Sequence, residues 1–385
     1  MSDALENPDV RHSYRDEMVE DLRQSGLLKV GRLTLLMPRS FGFCWGVDRA
    51  LAMVESARHQ YPGRRMWLLS SLIHNPRVNE DMRKMGIGFL KGPNAVEGAY
   101  EQLTEDDVVI IPAFSAEVED MELLKQCGVA IVDTTCPWVI KPHKRTLRYL
   151  KEGFTTVIHG TVGHDETRAT CSLVNHEGGR FLVVHDIDEA AALADYLLGK
   201  IDGPELQKVL HPMAIPEDFD CQRDLRKIGI INQTTMLASE SRAIGDLLKA
   251  ALMERDGEDG IAESFRDFDT ICRATQDNQD AANTVVKEHP DLFIVVGGYD
   301  SSNTRNLARV GDYYDVPSFH IEGPDCIAAS LSYRERPSGE ILQAENWLPS
   351  EGPVRVAFTA GASTPDTILG QVINRLVAYS GENWA

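Results

Sequence analysis

Apolar and polar positions follow two rhythms along this chain. Short apolar runs occur at 33–37, 66–69, 107–111, 129–132, 155–158, 180–184, 227–231, 292–296 and 354–358. Between them lie amphipathic stretches such as 49–60 and 76–85, whose apolar residues recur at helical spacing. Strand-length runs alternating with helical patterns predict an α/β fold with largely parallel sheets. Residues 1–30 are polar and acidic, with one amphipathic stretch near 18–28, and read as an N-terminal extension. The stretch 193–224 is polar and contains prolines, and reads as an insertion.

The chain has 385 residues, more than one hydrophobic core normally serves. The expected division is an extension at 1–30 and three α/β domains at 31–135, 136–270 and 271–385. The second of these carries the insertion. Lys+Arg is 39 and Asp+Glu is 59, so the formal net charge is −20. That balance argues against sequence-independent nucleic-acid binding, which draws on Lys/Arg–phosphate contacts. It leaves room for a small anionic ligand. No apolar run reaches membrane-spanning length, and the charged first 25 residues fit no secretion signal, so a cytoplasmic location without membrane contact is expected.

Seven cysteines stand far apart, with no CxxC pair, which makes a zinc ribbon or a thioredoxin-type motif a poor fit. Three of them share a context: a strand-like run leads to a cysteine that opens a helix-like segment. These are Cys44 in GFCWGVDRAL, Cys136 in VDTTCPWV and Cys272 in DTICRATQDNQ. Ligands of open α/β sheets gather at the carboxyl ends of strands, and a helix N-terminus stabilises a thiolate. Three convergent thiolates would suit a 4Fe–4S cluster with one iron left open. The residues alone equally allow three small buried hydrophobes. Cys127, Cys171, Cys221 and Cys326 read as structural.

Polar clusters follow other strands. IHNPRVNEDM holds His74, and HGTVGHDET holds His164 and Glu166, with Gly160 and Gly163 allowing close backbone approach. INQTTM holds Thr234 and Thr235. GGYDSSNTRNL holds Ser301, Ser302 and Asn303, and TAGASTPD holds Ser363. Strand, glycine, hydroxyls and helix in that order make an anion cradle. The same side chains would also serve as helix caps. Neither a P-loop nor a dinucleotide fingerprint is present.

In this order, with three separate cysteines, these segments resemble the 4-hydroxy-3-methylbut-2-enyl diphosphate reductase (IspH/LytB) family from about residue 33 to 376. The PAF and DTTCPWV forms resemble its cyanobacterial and plastid branch. The resemblance implies three α/β domains in a pseudo-threefold trefoil around one 4Fe–4S cluster per subunit. It implies Cys44, Cys136 and Cys272 as cluster ligands, and Glu166 as the catalytic proton source. His74, His164, Thr234, Thr235, Ser301, Ser302, Asn303 and Ser363 correspond to the substrate-binding set.

The implied reaction is reductive dehydroxylation of an allylic diphosphate, (E)-4-hydroxy-3-methylbut-2-enyl diphosphate, the last step of the non-mevalonate isoprenoid pathway. The substrate hydroxyl binds the open iron, and isopentenyl and dimethylallyl diphosphate form. An electron donor such as a ferredoxin or flavodoxin is implied as partner. One departure stands out: many bacterial members carry a His in a Ser-Ala-His-Gly segment where this chain has Glu117 after Ser115 and Ala116. A carboxylate there would repel a diphosphate unless it points elsewhere. Competing readings are a quinolinate-synthase-like dehydratase, a non-catalytic iron–sulfur redox sensor, and a cluster-free α/β binding protein.

Overall fold

The computed structural model describes residues 14–336 and 338–384; the first thirteen residues of the expected extension lie outside them. In chain order the strands are β1 (Leu27–Val30), β2 (Leu33–Leu36), β3 (Met66–Leu68) and β4 (Gly88–Phe89). Then come β5 (Val108–Ile111), β6 (Ala130–Asp133), β7 (Thr155–His159), β8 (Phe181–Val184), β9 (Ile228–Asn232) and β10 (Phe265–Asp267). The last are β11 (Leu292–Val296), β12 (Ser318–Ile321), β13 (Ser330–Arg334), β14 (Ile341–Glu345) and β15 (Val354–Ala360). Every apolar run singled out above forms a strand, with ends within two residues of the expected ones. The fold is α/β with largely parallel sheets.

The chain divides into two compact units: the described parts of Met1–Glu97 with Arg273–Ala385, and Gly98–Cys272. The first unit holds a seven-stranded sheet of order β1-β2-β15-β11-β12-β13-β14. Its centre is parallel and its margins are antiparallel. The central strand β11 is buried along its whole length, as a parallel strand covered on both faces must be. Its alternate residues serve two cores. Leu292, Ile294 and Val296 pack with Phe358 and with Leu369, Val372 and Leu376 of helix Asp366–Tyr379. Phe293 and Val295 pack with Ala282 and Val286 of helix Arg273–Val286. Strands β3 and β4 form a further parallel pair in this unit.

Part of the segment read as an extension belongs to that core. Helix Glu17–Ser25 is N-capped by Asp16 and closed by Gly26 at φ 74°. Its Val19 and Leu22 are 0% and 2% exposed, among the residues packed on helix Asp366–Tyr379. Burying such side chains contributes about 1.5–3 kcal/mol each.

The second unit holds a fully parallel sheet of order β10-β9-β7-β8, and β5 and β6 pair in parallel. The stretch read as an insertion contributes to its core: Leu206, Leu210, Ala214 and Phe219 pack with Val183, Ile230 and Leu248. Among the described residues no helix is long and apolar enough to cross a membrane.

Candidate functional site

In the second unit, β7 and β9 run parallel with His159 opposite Asn232, so both strands end at one edge of the sheet. The loop after β7 reaches His164, the N-cap of helix Asp165–His176. The Glu166 N–H donates to His164 Nδ1 at 3.2 Å. A backbone N–H only donates, so the neutral ring carries its proton on Nε2. The loop after β9 brings Thr234 onto Glu166. Thr234 N–H donates to Oε1 at 2.7 Å and Thr234 Oγ1 to Oε2 at 2.8 Å. Glu166 is 2% exposed. Burial pushes its carboxyl up to about 7, against the two Thr234 hydrogen bonds that pull it down.

The same loop extends to two further expected residues. The Cys272 N–H donates to the Thr234 carbonyl at 3.2 Å. Thr235 Oγ1 accepts from Gln233 Nε2 at 2.7 Å, while Gln233 Oε1 accepts from the Thr161 N–H at 2.9 Å and from Thr167 Oγ1 at 3.2 Å. Gln233 therefore orients Thr235, a role the sequence reading did not give it although it stands inside INQTTM. Cys136 N-caps helix Pro137–Lys151, and its N–H donates to the Ala113 carbonyl at 2.8 Å.

In the first unit, loops leave the carboxyl ends of β2, β11 and β15, which are register neighbours. The loop after β2 carries Cys44, the N-cap of helix Trp45–Gln60. Its N–H donates to the Ala362 carbonyl at 3.3 Å, and the Ala362 N–H donates to Asn303 Oδ1 at 2.8 Å. Ser363 Oγ donates to the His74 carbonyl at 3.2 Å and stands 3.4 Å from Ser301 Oγ. Ser301 is also the N-cap of helix Ser302–Ala308, where Ser302 is 2% exposed. The Gly297–Gly298 turn is obligatory. Gly297 has φ 155°, and a Cβ on Gly298 would lie 2.6 Å from the His74 carbonyl oxygen. Among the described residues the buried Asn303 Nδ2 group has no hydrogen-bond partner. A buried amide donor of this kind is costly unless a ligand oxygen accepts from it.

Each unit thus joins its own share of the expected residues. Cys44, His74, Ser301, Ser302, Asn303 and Ser363 belong to the first. Cys136, His164, Glu166, Thr234, Thr235 and Cys272 belong to the second. Among the described residues neither unit gathers three His, Cys, Asp or Glu side chains into a metal site of its own. The donor chemistry suits an iron–sulfur cluster. All three cysteines are partly accessible. Cys44 and Cys136 make no side-chain cap bond, and Cys272 leads directly into helix Arg273–Val286. Helix starts favour thiolates there.

Glu117 is paired with a cation, Arg168. Its two carboxylate oxygens accept from Arg168 Nε at 3.1 Å and a terminal Arg168 nitrogen at 2.8 Å. The residue of that loop that meets His164 is Phe114, edge to face with ring centroids 6.3 Å apart. Ser115 beside it adopts φ 79°. Gly160 sits close to Thr167 and Gln233 as expected, whereas Gly163 has open space around it. Burial pushes the Cys171 thiol up to about 12, which suits a structural cysteine.

The family model described as LytB protein matches residues 35–377. A 4-hydroxy-3-methylbut-2-enyl diphosphate reductase of Synechococcus sp. (strain WH7803) is 42% identical over 376 residues, 97% of this chain and 92% of the relative. One of Gloeobacter violaceus (strain ATCC 29082 / PCC 7421) is 40% identical, over 97% of this chain and 89% of the relative. A solved structure described as (E)-4-hydroxy-3-methyl-but-2-enyl diphosphate reductase, the terminal enzyme of the non-mevalonate pathway, is 26% identical. It aligns with TM-score 0.50, over 89% of this chain and 99% of its own. The Plasmodium falciparum E-1-hydroxy-2-methyl-but-2-enyl-4-diphosphate reductase shares the fold at TM-score 0.65 and 21% identity, over 89% of this chain and 87% of its own.

Proposed function

The chain belongs to the LytB family of oxidoreductases, and on that premise we propose that it reduces (E)-4-hydroxy-3-methylbut-2-enyl diphosphate to isopentenyl and dimethylallyl diphosphate. The balance is one carbon–oxygen bond broken, two electrons and two protons consumed, and water released. Cys44, Cys136 and Cys272 would hold one 4Fe–4S cluster. Bound there, it supplies electrons and a Lewis-acidic iron.

The chain's own residues do the rest. Asn303 Nδ2 and the Ser301 hydroxyl donate to the diphosphate, joined by the Ser363 hydroxyl once it turns from the His74 carbonyl, with Ser302 and His74 beside them. Neutral donors of this kind hold an anion without dense Lys/Arg, in keeping with a chain of net charge −20. His164 offers Nε2–H to a substrate oxygen. Glu166 supplies the proton. In its neutral form Oε2–H donates to Thr234 Oγ1, across the 2.8 Å that separates them. The Thr234 hydroxyl then passes its own proton onward. Thr235, oriented by Gln233, lies next in the chain and binds substrate.

The observation that carries this reading is Glu166: a carboxyl buried to the point of protonation near neutrality, held by both donors of Thr234, whose carbonyl takes the Cys272 N–H. A dehydratase would turn over without reductant. A redox sensor would leave the buried Asn303 donor without a purpose. The test is anaerobic turnover of the synthetic diphosphate with a chemical reductant. Both products should appear only with reductant present, and Glu166→Gln should lose most turnover while keeping its iron. Turnover without reductant, or full activity of that variant, would refute the assignment.

A further inference from the structure

Helix Pro137–Lys151, which Cys136 opens, carries five Lys/Arg residues and no Asp or Glu, in a chain of net charge −20. Lys141, Lys144, Arg148 and Lys151 are all exposed, at spacings of three, four and three. At about 100° per residue these four fall within one third of the helix circumference, a single basic stripe. Among the described residues neither Lys144 nor Lys151 has an ion-pair partner. The Lys141 ammonium lies 3.2 Å from the centroid of the Trp138 ring, two residues beyond Cys136. Only Arg148 is neutralised, by Glu152 at 2.7 Å.

Helix stability does not account for the stripe. Cations gain from the helix dipole in the last turn, which explains Arg148 and Lys151. Lys141 lies in the N-terminal half and Lys144 at the helix midpoint, where the dipole offers them nothing. A basic face on a strongly acidic protein works instead as an orienting patch: the net charge repels an anionic partner while the stripe attracts one. The stripe starts one turn from Cys136, and Lys144 lies about 12 Å along the helix from it.

We propose that this stripe is the docking face for a small acidic one-electron carrier protein, the source of electrons for the reaction above. The inference rests on that reading. Two reduced carriers dock in succession, each is oxidised by one electron, and the carbon–oxygen bond takes both electrons with two protons, releasing water.

The test compares Lys141→Glu/Lys144→Glu/Lys151→Glu with a control triple, Lys125→Glu/Lys200→Glu/Lys208→Glu, which makes the same charge change on exposed lysines elsewhere in the same unit. The probes are an acidic plant-type [2Fe–2S] ferredoxin, with reduced methyl viologen as a small-molecule donor. At low salt the stripe variant should raise KM for the ferredoxin at least about tenfold, and keep viologen-driven turnover within about twofold. The control triple, and the stripe triple made with Arg, should stay within about twofold on both probes. An unchanged ferredoxin KM, an equal effect of the control triple, or parallel loss of viologen turnover would overturn the proposal. So would tighter binding of a DNA duplex than of ferredoxin by the same stripe. Direct binding of ferredoxin is read separately from turnover. A wild type inactive with viologen that still binds ferredoxin through the stripe refutes the reductase reading and leaves the docking face standing.

Discussion

Thr234 holds Glu166 with both of its donors, the main-chain N–H on Oε1 at 2.7 Å and the hydroxyl on Oε2 at 2.8 Å. Burial nevertheless prevails and places the carboxyl at about 7. A proton donor with that value is loaded below neutrality and empty above it. Turnover should therefore fall above about pH 7 with the slope of one proton. Thr234→Val removes a bond that lowers the value, so its falling limb should move to higher pH while its rate drops. A pH–rate profile of both proteins checks the sign; a limb shifted to lower pH would remove the Thr234 hydroxyl from the carboxyl.

The same shift makes a stability prediction. The carboxyl is raised from an ordinary 4.5 in the fold, so the folded state binds the proton more tightly than the unfolded chain does. Its favourable contribution is complete below about pH 4.5 and is lost as pH rises through about 7. The loss amounts to about 3 kcal/mol. Glu166→Gln cannot ionise. Its melting temperature relative to wild type should rise between pH 5 and pH 8, and a constant difference across that range would contradict the burial argument.

Asn303 offers a second test through substitution by its own isostere. Asn303→Asp keeps an oxygen for the Ala362 N–H, which Oδ1 accepts at 2.8 Å. It replaces the buried Nδ2 donor with an acceptor that repels an anion. The loss should be about 3 kcal/mol, seen as a KM for the diphosphate substrate raised about a hundredfold. Steady-state kinetics decides it, and an unchanged KM would place the diphosphate elsewhere.

Gly298 tests the backbone of that half-site. An added methyl would stand 2.6 Å from the His74 carbonyl oxygen, which main chain alone cannot yield. Gly298→Ala should cost about 1–3 kcal/mol in urea unfolding and displace the loop bearing His74. The neighbouring Gly323 has open space around it, so Gly323→Ala is the control.

Leu22→Ala should cost about 2–5 kcal/mol, although it lies in the segment that reads as an extension. That segment packs in a way its sequence does not announce. Glu17, Glu20 and Asp21 are exposed, while Val19 and Leu22 turn inward and Arg23 reaches Asp366 at 2.8 Å. The insertion is similar: Leu206, Leu210 and Phe219 turn inward, although Val209 and Met213 stay exposed.

Buried parallel strands were the legible part, because β5 and β11 are continuous apolar runs and β7, β9 and β15 each carry an apolar stretch. Strand β14 escaped, since every residue of its antiparallel margin is exposed or half-exposed and no burial pattern marks it. Strand β4 has only two residues, and β10, FRD, has a single apolar one. At the site, the helix starts of Cys44 and Cys136 could be read from strand-to-helix transitions. The contacts could not, because they join residues far apart in sequence. Glu166 and Thr234 are 68 apart, and Asn303 and Ala362 are 59 apart. Glu117 drew attention as a charge in an unexpected place, and Arg168 resolves it from another helix.

Iron and sulfide analysis of anaerobically prepared protein, with a spectrum of the reduced cluster, tests the central claim most directly when applied to seven single Cys→Ser variants. Cys44→Ser, Cys136→Ser and Cys272→Ser should each lose the wild-type 4Fe–4S content and signal, while serine at Cys127, Cys171, Cys221 or Cys326 should leave both unchanged. A full, unaltered cluster in any of the first three variants would contradict the account.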